Sequence, residues 1–472
     1  MTGPGAPRVA VLGGGLAGVA AALRSADAGC EVTLLERRAR LGGLAGSFRR
    51  GDAQVDTGQH VFLRCCHAYR GLLDRLGVAG STTLQDRLDV TVLRPGRPAA
   101  RLRRDRVPTA LRVLPGAHLA RALLRYDALP WRERLALPRA AAALRRLDPA
   151  DPALDARAFG DWLRRHGQGP AAIRALWDLI GTPTLNAGAD DASLALAATV
   201  FRIGLLGDAD AADIGWSAVP LGDLHDIAAR RALDAAGVRV ALSSRVRDVA
   251  RVDGGWRVAV TGRDGAGDAL TVDAVVCALP PEVAAAVLPE PVRGPVAEAA
   301  DALGASPIVD VHLVLDRPVL PVPFAAGLDT EVQWVFDRSG AHGALPPGAQ
   351  YLVVSLSAAD AYLPLGAEAL VDRFMTELGR LLPAAAGARL LDGFVTREPR
   401  ATFRPAPGTA AHRPAARTAL TALALAGAWT DTGWPATMEG AVRSGEDAAA
   451  VVTGGPGADD RARATDRAGA AA

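Results

Sequence analysis

The chain has 472 residues, 50% of them hydrophobic, and a formal net charge of +2 at pH 7. This length can bury a large core and favours two structural domains, while the small charge gives no general attraction for nucleic acid. Charges and glycines interrupt every apolar stretch before it reaches the length of a membrane span. A nucleotide-binding motif begins within a dozen residues of the start, which leaves no room for a signal peptide, so we expect a cytoplasmic protein.

A glycine-rich turn follows the first predicted strand, residues 9–12. Its spacing is G-x-G-x-x-G. The first glycine makes the tight turn, the second lets the backbone approach a pyrophosphate, and the third lets the next helix, expected over residues 19–28, pack on the strand. The candidate cofactor-binding residues of this turn are Gly13, Gly15, Leu16, Ala17 and Gly18.

A second predicted strand, residues 31–35, delivers Glu36 about 20 residues after the glycines. Its carboxylate would accept hydrogen bonds from ribose hydroxyls and repel a 2′-phosphate, so FAD or NAD fits better than NADP. Five residues later comes a glycine pair with an arginine beside it, which favours FAD. A guanidinium here would meet pyrophosphate charge, and the alternative is a solvated basic loop. This segment adds Arg37, Arg40, Gly42, Gly43 and Leu44 to the candidate cofactor contacts.

Residues 425–445 are poor in charge and rich in Gly, Trp and Thr. They follow an apolar run, residues 419–426, that is predicted as a strand, and they lead into an alanine-rich helix. A strand, a glycine turn and a helix start present backbone N–H groups to an electron-rich ligand edge. Two remote parts of the chain would therefore close on one cofactor. The candidate contacts here are Gly427, Trp434, Pro435, Ala436, Thr437, Met438 and Glu439.

Four longer motifs carry a resemblance to a known family. They are DTGQHVFL (residues 56–63), WVFDR (334–338), REPRATF (397–403) and WTDTGWPATMEG (429–440). With the glycine fingerprint, they make the chain resemble the amine oxidase and phytoene desaturase group of FAD enzymes over about residues 8–452. Within that group the motifs are similar to those of the hydroxysqualene dehydroxylase family, the squalene-associated FAD enzymes of bacterial hopanoid pathways.

The resemblance implies an α/β fold in which a Rossmann-type FAD-binding domain is interleaved with an α+β substrate-binding domain, as in amine oxidases. Residues 238–240 and 331–336 are predicted as strands, the first antiparallel to its neighbours. The FAD-binding domain is expected to comprise residues 1–85, 215–285 and 405–453, the substrate-binding domain residues 86–214 and 286–404, and residues 454–472 a disordered tail.

The resemblance also implies a long-chain isoprenoid alcohol as substrate, with its allylic hydroxyl replaced by hydrogen. That reaction needs an acid to help water leave, a site that tolerates an allylic cation, and hydride from reduced FAD. His60 and Asp431 are the candidate proton donors. The alternatives are that His60 only bonds the backbone and that Asp431 caps a helix. The indole faces of Trp429 and Trp434 would line the substrate and stabilise the cation.

The remaining candidates for contact with FAD are Gln59, His60 and Val246. Ala428 stands directly after the glycine of LAG, where the family usually has an acid. Asp431 or a water would compensate, or the flavin would be held more loosely. No cluster of histidines has metal-ligand spacing, so we expect no metal.

Three functions stay open at this point. Reduced FAD would convert hydroxysqualene to squalene, or oxidised FAD would accept hydride from a polyisoprenoid as in carotenoid desaturases and isomerases, or the fold would serve as a non-catalytic escort protein. The motifs GQHVF and TDTGWPATMEG favour the first, and Ala428 gives the third its only support. The residues do not identify the electron donor or the direction of electron flow.

Residues 94–146 differ in composition from the rest of the chain. They hold 14 arginines and three acidic residues, a net charge of +11, with leucines at helical spacing. A basic amphipathic segment suits an anionic membrane surface, so we expect peripheral contact with the inner face of the cell membrane. The alternative is a solvated arginine-rich face over an ordinary core.

Overall fold

The computed structural model describes residues 5–105 and 117–455. In chain order the strands are β1 (Arg8–Leu12), β2 (Glu31–Leu35), β3 (Ser47–Arg50), β4 (Ala53–Asp56), β5 (Val61–Leu63), β6 (Thr82–Leu84), β7 (Asp89–Leu93), β8 (Ala100–Arg103), β9 (Ile214–Ser217), β10 (Arg239–Ala241), β11 (Arg245–Val252), β12 (Gly255–Thr261), β13 (Gly267–Val272), β14 (Ala274–Cys277), β15 (Ser306–Leu315), β16 (Phe324–Gly327), β17 (Trp334–Asp337), β18 (Gln350–Ser357), β19 (Leu390–Thr402) and β20 (Leu423–Leu425).

The α-helices are α1 (Leu16–Asp27), α2 (His67–Arg75), α3 (Ala120–Arg125), α4 (Trp131–Arg145), α5 (Pro152–Asp155), α6 (Phe159–Arg165), α7 (Pro170–Ala172), α8 (Asp178–Leu185), α9 (Leu194–Gly204), α10 (Ala228–Ala235), α11 (Pro281–Val287), α12 (Arg293–Leu303), α13 (Ser339–His342), α14 (Ala367–Leu381), α15 (Pro383–Ala386) and α16 (Met438–Thr453). Two π-helical turns, Ile173–Trp177 and Asp223–Ile227, lead into α8 and α10. Short 3₁₀ turns cover Ala79–Ser81, Ala117–Leu119 and Ala410–His412.

A five-stranded sheet in the order β10-β2-β1-β14-β20 carries the glycine fingerprint. Each neighbouring pair is parallel, so the prediction that residues 238–240 form an antiparallel strand is wrong. Helix α10 returns the chain across the sheet, as parallel pairing requires. The strand predicted over residues 419–426 is shorter, because Ala422 has a φ of +59° and an extended run cannot pass through it.

A seven-stranded sheet in the order β19-β15-β18-β17-β16-β7-β8 forms the second large layer. Its strands are antiparallel except for β16 and β7. β17 begins at Trp334 rather than at residue 331, because Thr330 Oγ1 and the Glu331 N–H both donate to the Glu377 carboxylate of α14. Those two residues are therefore held against α14 instead of in the sheet.

Strand β15, which lies between the edge strand β19 and β18, directs alternate side chains to the two faces of this sheet. Val309, Val311 and Leu313 belong to the core shared with α14. Asp310 and His312 point to the opposite face, which also carries the aromatic rings described below. One face of the sheet is therefore structural, and the other is available to a site.

The two sheets agree with the predicted α/β fold and its added α+β layer. Strands of the parallel sheet fall in the three segments assigned to the FAD-binding domain, and strands of the seven-stranded sheet fall in the two assigned to the substrate-binding domain. The domain limits themselves stay a prediction. Most of the predicted tail, residues 456–472, lies outside the described residues. Within residues 5–105 and 117–455, no helix has the length and apolar character needed to cross a bilayer.

Candidate functional site

Two glycine turns meet at the N-terminus of α1. Gly15 is the N-cap of α1 and places no side chain over its first turn. The Gly42 N–H donates to the Gly14 carbonyl oxygen at 2.9 Å, and a Cβ at Gly43 would lie 3.0 Å from the Gly15 Cα. The start of α1 is therefore lined by backbone alone, an arrangement suited to a pyrophosphate.

Close packing explains the other two fingerprint glycines. A Cβ at Gly18 would lie 1.8 Å from the Gly13 carbonyl oxygen, and one at Gly13, whose φ is +105°, would lie 2.6 Å from the Ala278 carbonyl oxygen. Leu16 and Ala17 are buried within α1. They hold the helix against the sheet, and only their backbone faces the cradle.

Glu36 is buried at the end of β2, with 8% of its surface exposed. Its carboxylate accepts hydrogen bonds from the Gly14 and Arg38 N–H groups, both at 2.7 Å. Each oxygen has two lone pairs, so each keeps one for a ligand hydroxyl. The Glu36 carbonyl accepts from the Ser244 N–H at 2.8 Å, which brings the buried Val246 to this side of the site.

Two of the three arginines after Glu36 turn inward. Arg38 and Arg40 donate to the Gly43 carbonyl oxygen at 3.2 and 3.3 Å, and burial lowers the pKa of Arg40. Arg37 is exposed. Arg38 is thus a cradle residue that the sequence analysis missed, since a run of arginines does not indicate which one faces inward. Leu44 is 43% exposed beside the cradle.

The loop after β20 is held by a buried cation that the sequence analysis did not identify. Arg413 donates to the carbonyl oxygens of Thr430 at 2.5 Å and Ala428 at 3.2 Å. Burial lowers the pKa of Arg413 to about 10. The Gly427 N–H donates to Ser444 Oγ at 2.8 Å, and its φ of +134° requires glycine.

Helix α16 begins with two free N–H groups. Thr437 is its N-cap and accepts the Gly440 N–H at 3.1 Å. The N–H groups of Met438 and Glu439 have no acceptor among the residues that the structure describes. They lie at the positive end of a helix of 16 residues and can meet an electron-rich ligand edge.

The Glu439 side chain serves a different purpose from its backbone. It is buried, pairs with Arg443 at 2.7 Å, and accepts the N–H groups of Tyr69 at 2.8 Å and Ala68 at 3.2 Å. A carboxylate at that position caps the N-terminus of α2. Glu439 therefore joins α16 to α2 through its side chain and offers only its N–H to a cofactor.

The two tryptophans of the C-terminal motif are held by neighbours. The Trp429 indole N–H donates to the Leu279 carbonyl oxygen at 3.2 Å, and the ring is buried. The Arg443 guanidinium lies 5.0 Å from the centre of the Trp434 ring. Trp434 and Ala436 are half-buried and Pro435 is buried. Among the described residues, no hydrogen bond or ring contact joins either indole to His60.

Asp431 lies on the surface. Its Oδ1 accepts the Gly433 N–H at 3.2 Å, and its own N–H donates to the Pro414 carbonyl oxygen at 2.9 Å. These contacts are those of a side chain that stabilises a turn. A solvated carboxylate does not suit proton donation in a site that excludes water.

His60 belongs to a group that converges on Gly58. Its Nδ1–H donates to the Gly58 carbonyl oxygen at 3.1 Å, and burial lowers its pKa. A Cβ at Gly58 would lie 3.2 Å from His60 Cε1 and 3.7 Å from the Asp310 Oδ2 of β15. Gln59, which lies between Gly58 and His60 in the chain, is half-buried. The fingerprint domain and the seven-stranded sheet therefore meet at residues 58–60.

A buried ion pair fixes this meeting point. In this pair Arg338 Nη2 lies 2.8 Å from Asp56 Oδ2, and the Ser47 hydroxyl donates a hydrogen bond to Asp56 Oδ1 at 2.6 Å. Arg338 also donates to the Ser217 carbonyl oxygen at 2.6 Å. The two side chains are 6% and 10% exposed. Both lie in the long motifs of the sequence, and only the fold pairs them.

His225 holds the glycine loop against α2. Its Nδ1–H donates to the Ala45 carbonyl oxygen at 2.6 Å, so its Nε2 accepts from the Tyr69 hydroxyl at 2.9 Å. Burial lowers the pKa of His225 to about 4, which keeps the ring neutral at pH 7. His225 is a positioning residue for the cradle.

An aromatic group lies on the site face of the seven-stranded sheet. Phe324 contacts Trp216 at 5.4 Å, Trp334 at 6.0 Å and Phe336 at 6.0 Å between ring centres. Trp216 is the β9 partner of Val61, which follows His60. An apolar surface rich in indole and phenyl rings therefore adjoins the Gly58–His60 junction.

Within residues 5–105 and 117–455, no group of three or more His, Cys, Asp or Glu side chains could hold a metal ion.

The family model for flavin containing amine oxidoreductases matches residues 16–453. The chain belongs to this amine oxidoreductase family. Like its family, the protein is an FAD-dependent oxidoreductase, as the fingerprint predicts.

Relatives of this oxidoreductase bear two kinds of name. It is 31% identical to a hydroxysqualene dehydroxylase of Rhodopseudomonas palustris, over 94% of this chain and 98% of that one. It is 26% identical to a zeta-carotene desaturase of Synechocystis, over 94% and 97%. A double mutant of putrescine oxidase has a TM-score of 0.69 and 20% identity, over 95% of this chain and 99% of that one, which confirms the predicted fold.

FAD fits the site of this oxidoreductase. The backbone cradle at Gly15 leaves no side chain in the way of a pyrophosphate, and Glu36 keeps lone pairs for ribose hydroxyls. The N–H groups of Met438 and Glu439 have no acceptor in the described protein. When bound, FAD supplies two-electron hydride chemistry.

Proposed function

We propose that this oxidoreductase removes the hydroxyl of a long-chain isoprenoid alcohol by reduction, converting hydroxysqualene to squalene. One observation carries the proposal. The Gly58–His60 junction, on the side of the cradle where we expect the flavin, lies next to an apolar surface of aromatic rings. A relative named hydroxysqualene dehydroxylase, 31% identical along nearly the full chain, supports that substrate.

The chain would assist this reaction in three ways. The rings of Trp216, Phe324 and Trp334 would bind the hydrocarbon, exclude water and stabilise an allylic cation through their faces. The Asp56–Arg338 pair would fix the junction against which the substrate lies. A buried acid would protonate the departing hydroxyl.

We propose that the cofactor is held at three places. The glycine turns, with Arg38 and Arg40, would bind the pyrophosphate, and Glu36 would bind the ribose. The N–H groups of Met438 and Glu439 would face the electron-rich edge of the ring system. The remaining predicted contacts, which stay a prediction, are Arg37, Leu44, Gln59, His60, Val246, Gly427, Trp434, Pro435, Ala436 and Thr437.

A desaturase of carotenoid type is the second candidate, because a zeta-carotene desaturase is 26% identical to the chain. That reaction runs in the opposite electron direction and releases no water, so it needs no acid at the substrate carbon. The Gly58–His60 junction contains two titratable groups, Asp310 and His60, whose pKa values are shifted by burial. A buried group that can donate a proton favours the dehydroxylase.

We also propose that the protein meets its lipid substrate at a membrane surface. Leu124, Trp131 and Leu135 of α3 and α4 are 64–69% exposed, and Arg121, Arg125 and Arg132 are exposed beside them. Apolar side chains flanked by cations suit an anionic bilayer. Other arginines of the basic segment are structural, such as Arg94, which pairs with Asp127. Residues 106–116 of that segment lie outside the described residues.

Anaerobic single turnover tests the function. The protein is loaded with FAD, reduced with dithionite and mixed with hydroxysqualene, while flavin absorbance is followed and products are extracted. We expect flavin reoxidation matched by squalene. Reduced flavin that persists with no squalene would shift the assignment to the desaturase, for which oxidised enzyme and a carotene provide the converse assay.

A further inference from the structure

Asp310 is a buried carboxyl group without a full set of partners. It lies near the middle of β15 and is 2% exposed. Its Oδ1 has no hydrogen-bond partner among the described residues. An ionised carboxylate in this position would lose its hydration without compensation, whereas a protonated carboxyl loses far less.

The carboxyl group points to the junction where the proposed reaction occurs. Its Oδ2 lies 3.7 Å from the position of a Cβ on Gly58, and His60 Cε1 lies 3.2 Å from the same point. Across the sheet, Asp310 is opposite Ser355, and Ser355 is opposite Trp334. The acid therefore lies between the flavin side of the site and the aromatic surface.

The charges around Asp310 also favour its protonated form. Arg338 already pairs with Asp56, and Arg50 pairs with Asp392, so neither of these two cations is left to compensate a second carboxylate. Burial, and then the charge of Asp56, raise the pKa of Asp310 to about 7, although a bond from the Ser355 hydroxyl opposes this. The titratable and charged groups on the elements packed around it are Arg50, Asp56, His60, His312, Arg338, Tyr351, Asp392 and Glu398.

The other two candidate donors do not hold a proton where it is needed. Burial lowers the pKa of His60 from 6.5, so its imidazole is neutral at pH 7 and its one N–H is used by Gly58. Asp431 is exposed and bonded in a turn. Of the three, only Asp310 is both buried and protonated near neutral pH.

We propose that Asp310 is the proton donor of the dehydroxylation, and that His60 positions the Gly58 segment beside it. This rests on the proposed function. The proton of Asp310 passes to the substrate hydroxyl as the allylic C–O bond breaks, and water leaves with the bonding electron pair. When bound, reduced FAD would supply the hydride that the allylic carbon gains. The substrate is reduced, the flavin is oxidised by two electrons, and Asp310 is left as a carboxylate until it is reprotonated.

The test compares wild type, Asp310→Asn and a control, Asp178→Asn, in the dithionite single-turnover assay between pH 5 and 9. Burial also raises the pKa of Asp178 on α8, but its carboxylate accepts a hydrogen bond from the N–H of Ala189, in the loop after that helix. We expect Asp310→Asn to keep its FAD and to lose at least about 100-fold in rate. The wild-type and Asp178→Asn rates should fall as pH rises through about 7, while the residual Asp310→Asn rate should not follow pH.

Infrared difference spectra between pH 5 and 9, with ¹³C-labelled aspartate, provide a second readout on the FAD-loaded protein. We expect the C=O stretch of a protonated carboxyl at neutral pH in wild type and Asp178→Asn, and its loss in Asp310→Asn. If wild type makes squalene and Asp310→Asn does so within threefold, the donor assignment is overturned and the function stands. If wild type makes no squalene, both are overturned.

Discussion

Arg338 donates to Asp56 at 2.8 Å across 282 positions of sequence, in a contact from which solvent is almost fully excluded. Asp56 ends β4 next to the flavin-side segment 57–60, and Arg338 follows β17 of the seven-stranded sheet. The pair therefore sets the spacing between the two halves of the site. Its removal should affect folding and substrate binding together.

We expect Arg338→Ala to lower the free energy of unfolding by about 3–5 kcal/mol, because it leaves the Asp56 carboxylate buried and uncompensated. Arg8→Ala is the matched control, since Arg8 pairs with Asp273 at 3.1 Å but both side chains are more than 40% exposed. Breaking that surface pair should cost far less, because solvent screens the two charges. Urea unfolding measures both, and similar costs would contradict the structural role of the buried pair.

Gly18 and Gly71 both lie in helices and should respond oppositely to alanine. A Cβ at Gly18 would lie 1.8 Å from the Gly13 carbonyl oxygen, whereas one at Gly71 meets nothing within 4 Å. We expect Gly18→Ala to destabilise the protein and reduce its FAD content, and Gly71→Ala to stabilise it by up to about 1 kcal/mol. Thermal unfolding measures the stability of both purified variants, and flavin absorbance measures their FAD content.

Glu36→Ala should weaken the binding of FAD. The substitution removes the acceptor for ribose hydroxyls and for the Gly14 N–H, so we expect FAD affinity to fall by at least about tenfold. Glu31→Ala, at the exposed start of the same strand, is the control and should retain wild-type FAD. Titration of apoprotein with FAD measures both. Equal affinities for wild type and Glu36→Ala would contradict the assignment of Glu36.

Asp310 should make the protein less stable as pH rises. The pKa of Asp310 is about 7 in the folded chain, above its ordinary value of 3.8. Folding therefore takes up a proton when the pH lies between 3.8 and about 7. The contribution is complete below pH 4 and is lost as pH rises through about 7. Asp310→Asn should therefore become more stable than wild type across this window, by at most about 4 kcal/mol above pH 7.

Urea unfolding at pH 4, 6 and 8 tests this linkage, with the exposed Asp253→Asn as the control. A constant difference between Asp310→Asn and wild type at the three pH values would contradict a proton on Asp310.

Binding to vesicles should depend on the exposed apolar residues of α3 and α4. We expect the double variant Trp131→Ser, Leu135→Ser to lose most co-sedimentation with vesicles of anionic phospholipid, because these side chains would enter the interface. Val283→Ser replaces an exposed apolar residue on α11 and should bind as wild type. Equal binding by all three proteins would exclude α3 and α4 as the contact.

The FAD cradle could be predicted from sequence because its parts are close along the chain. One turn, one helix and one acid within residues 9–43 specify it by spacing alone. The direction of each arginine could not be predicted, because the fold of the loop, and not the composition, turns Arg38 inward and Arg37 outward.

The donor that we propose could not be predicted from a motif. The sequence predicts His60 and Asp431 as donors because they lie in recognisable motifs, whereas Asp310 lies in a strand that the sequence predicts only as part of a sheet. A signal was present in that strand. Asp310 and His312 are two residues apart in an otherwise apolar run, which places both on one face of a buried strand. The partner of Asp56, by contrast, required the tertiary structure.

The strand order β10-β2-β1-β14-β20 has a consequence for biosynthesis. β20 and α16, which complete the sheet and the proposed site, are made more than 400 residues after the glycine turn that follows β1. At about 5–20 residues per second, a growing chain would expose the edge of β14 for roughly 10–30 seconds before β20 covers it. A nascent chain of this protein is therefore a natural client for chaperones, and FAD can complete the fold only after β20 and α16 have been made.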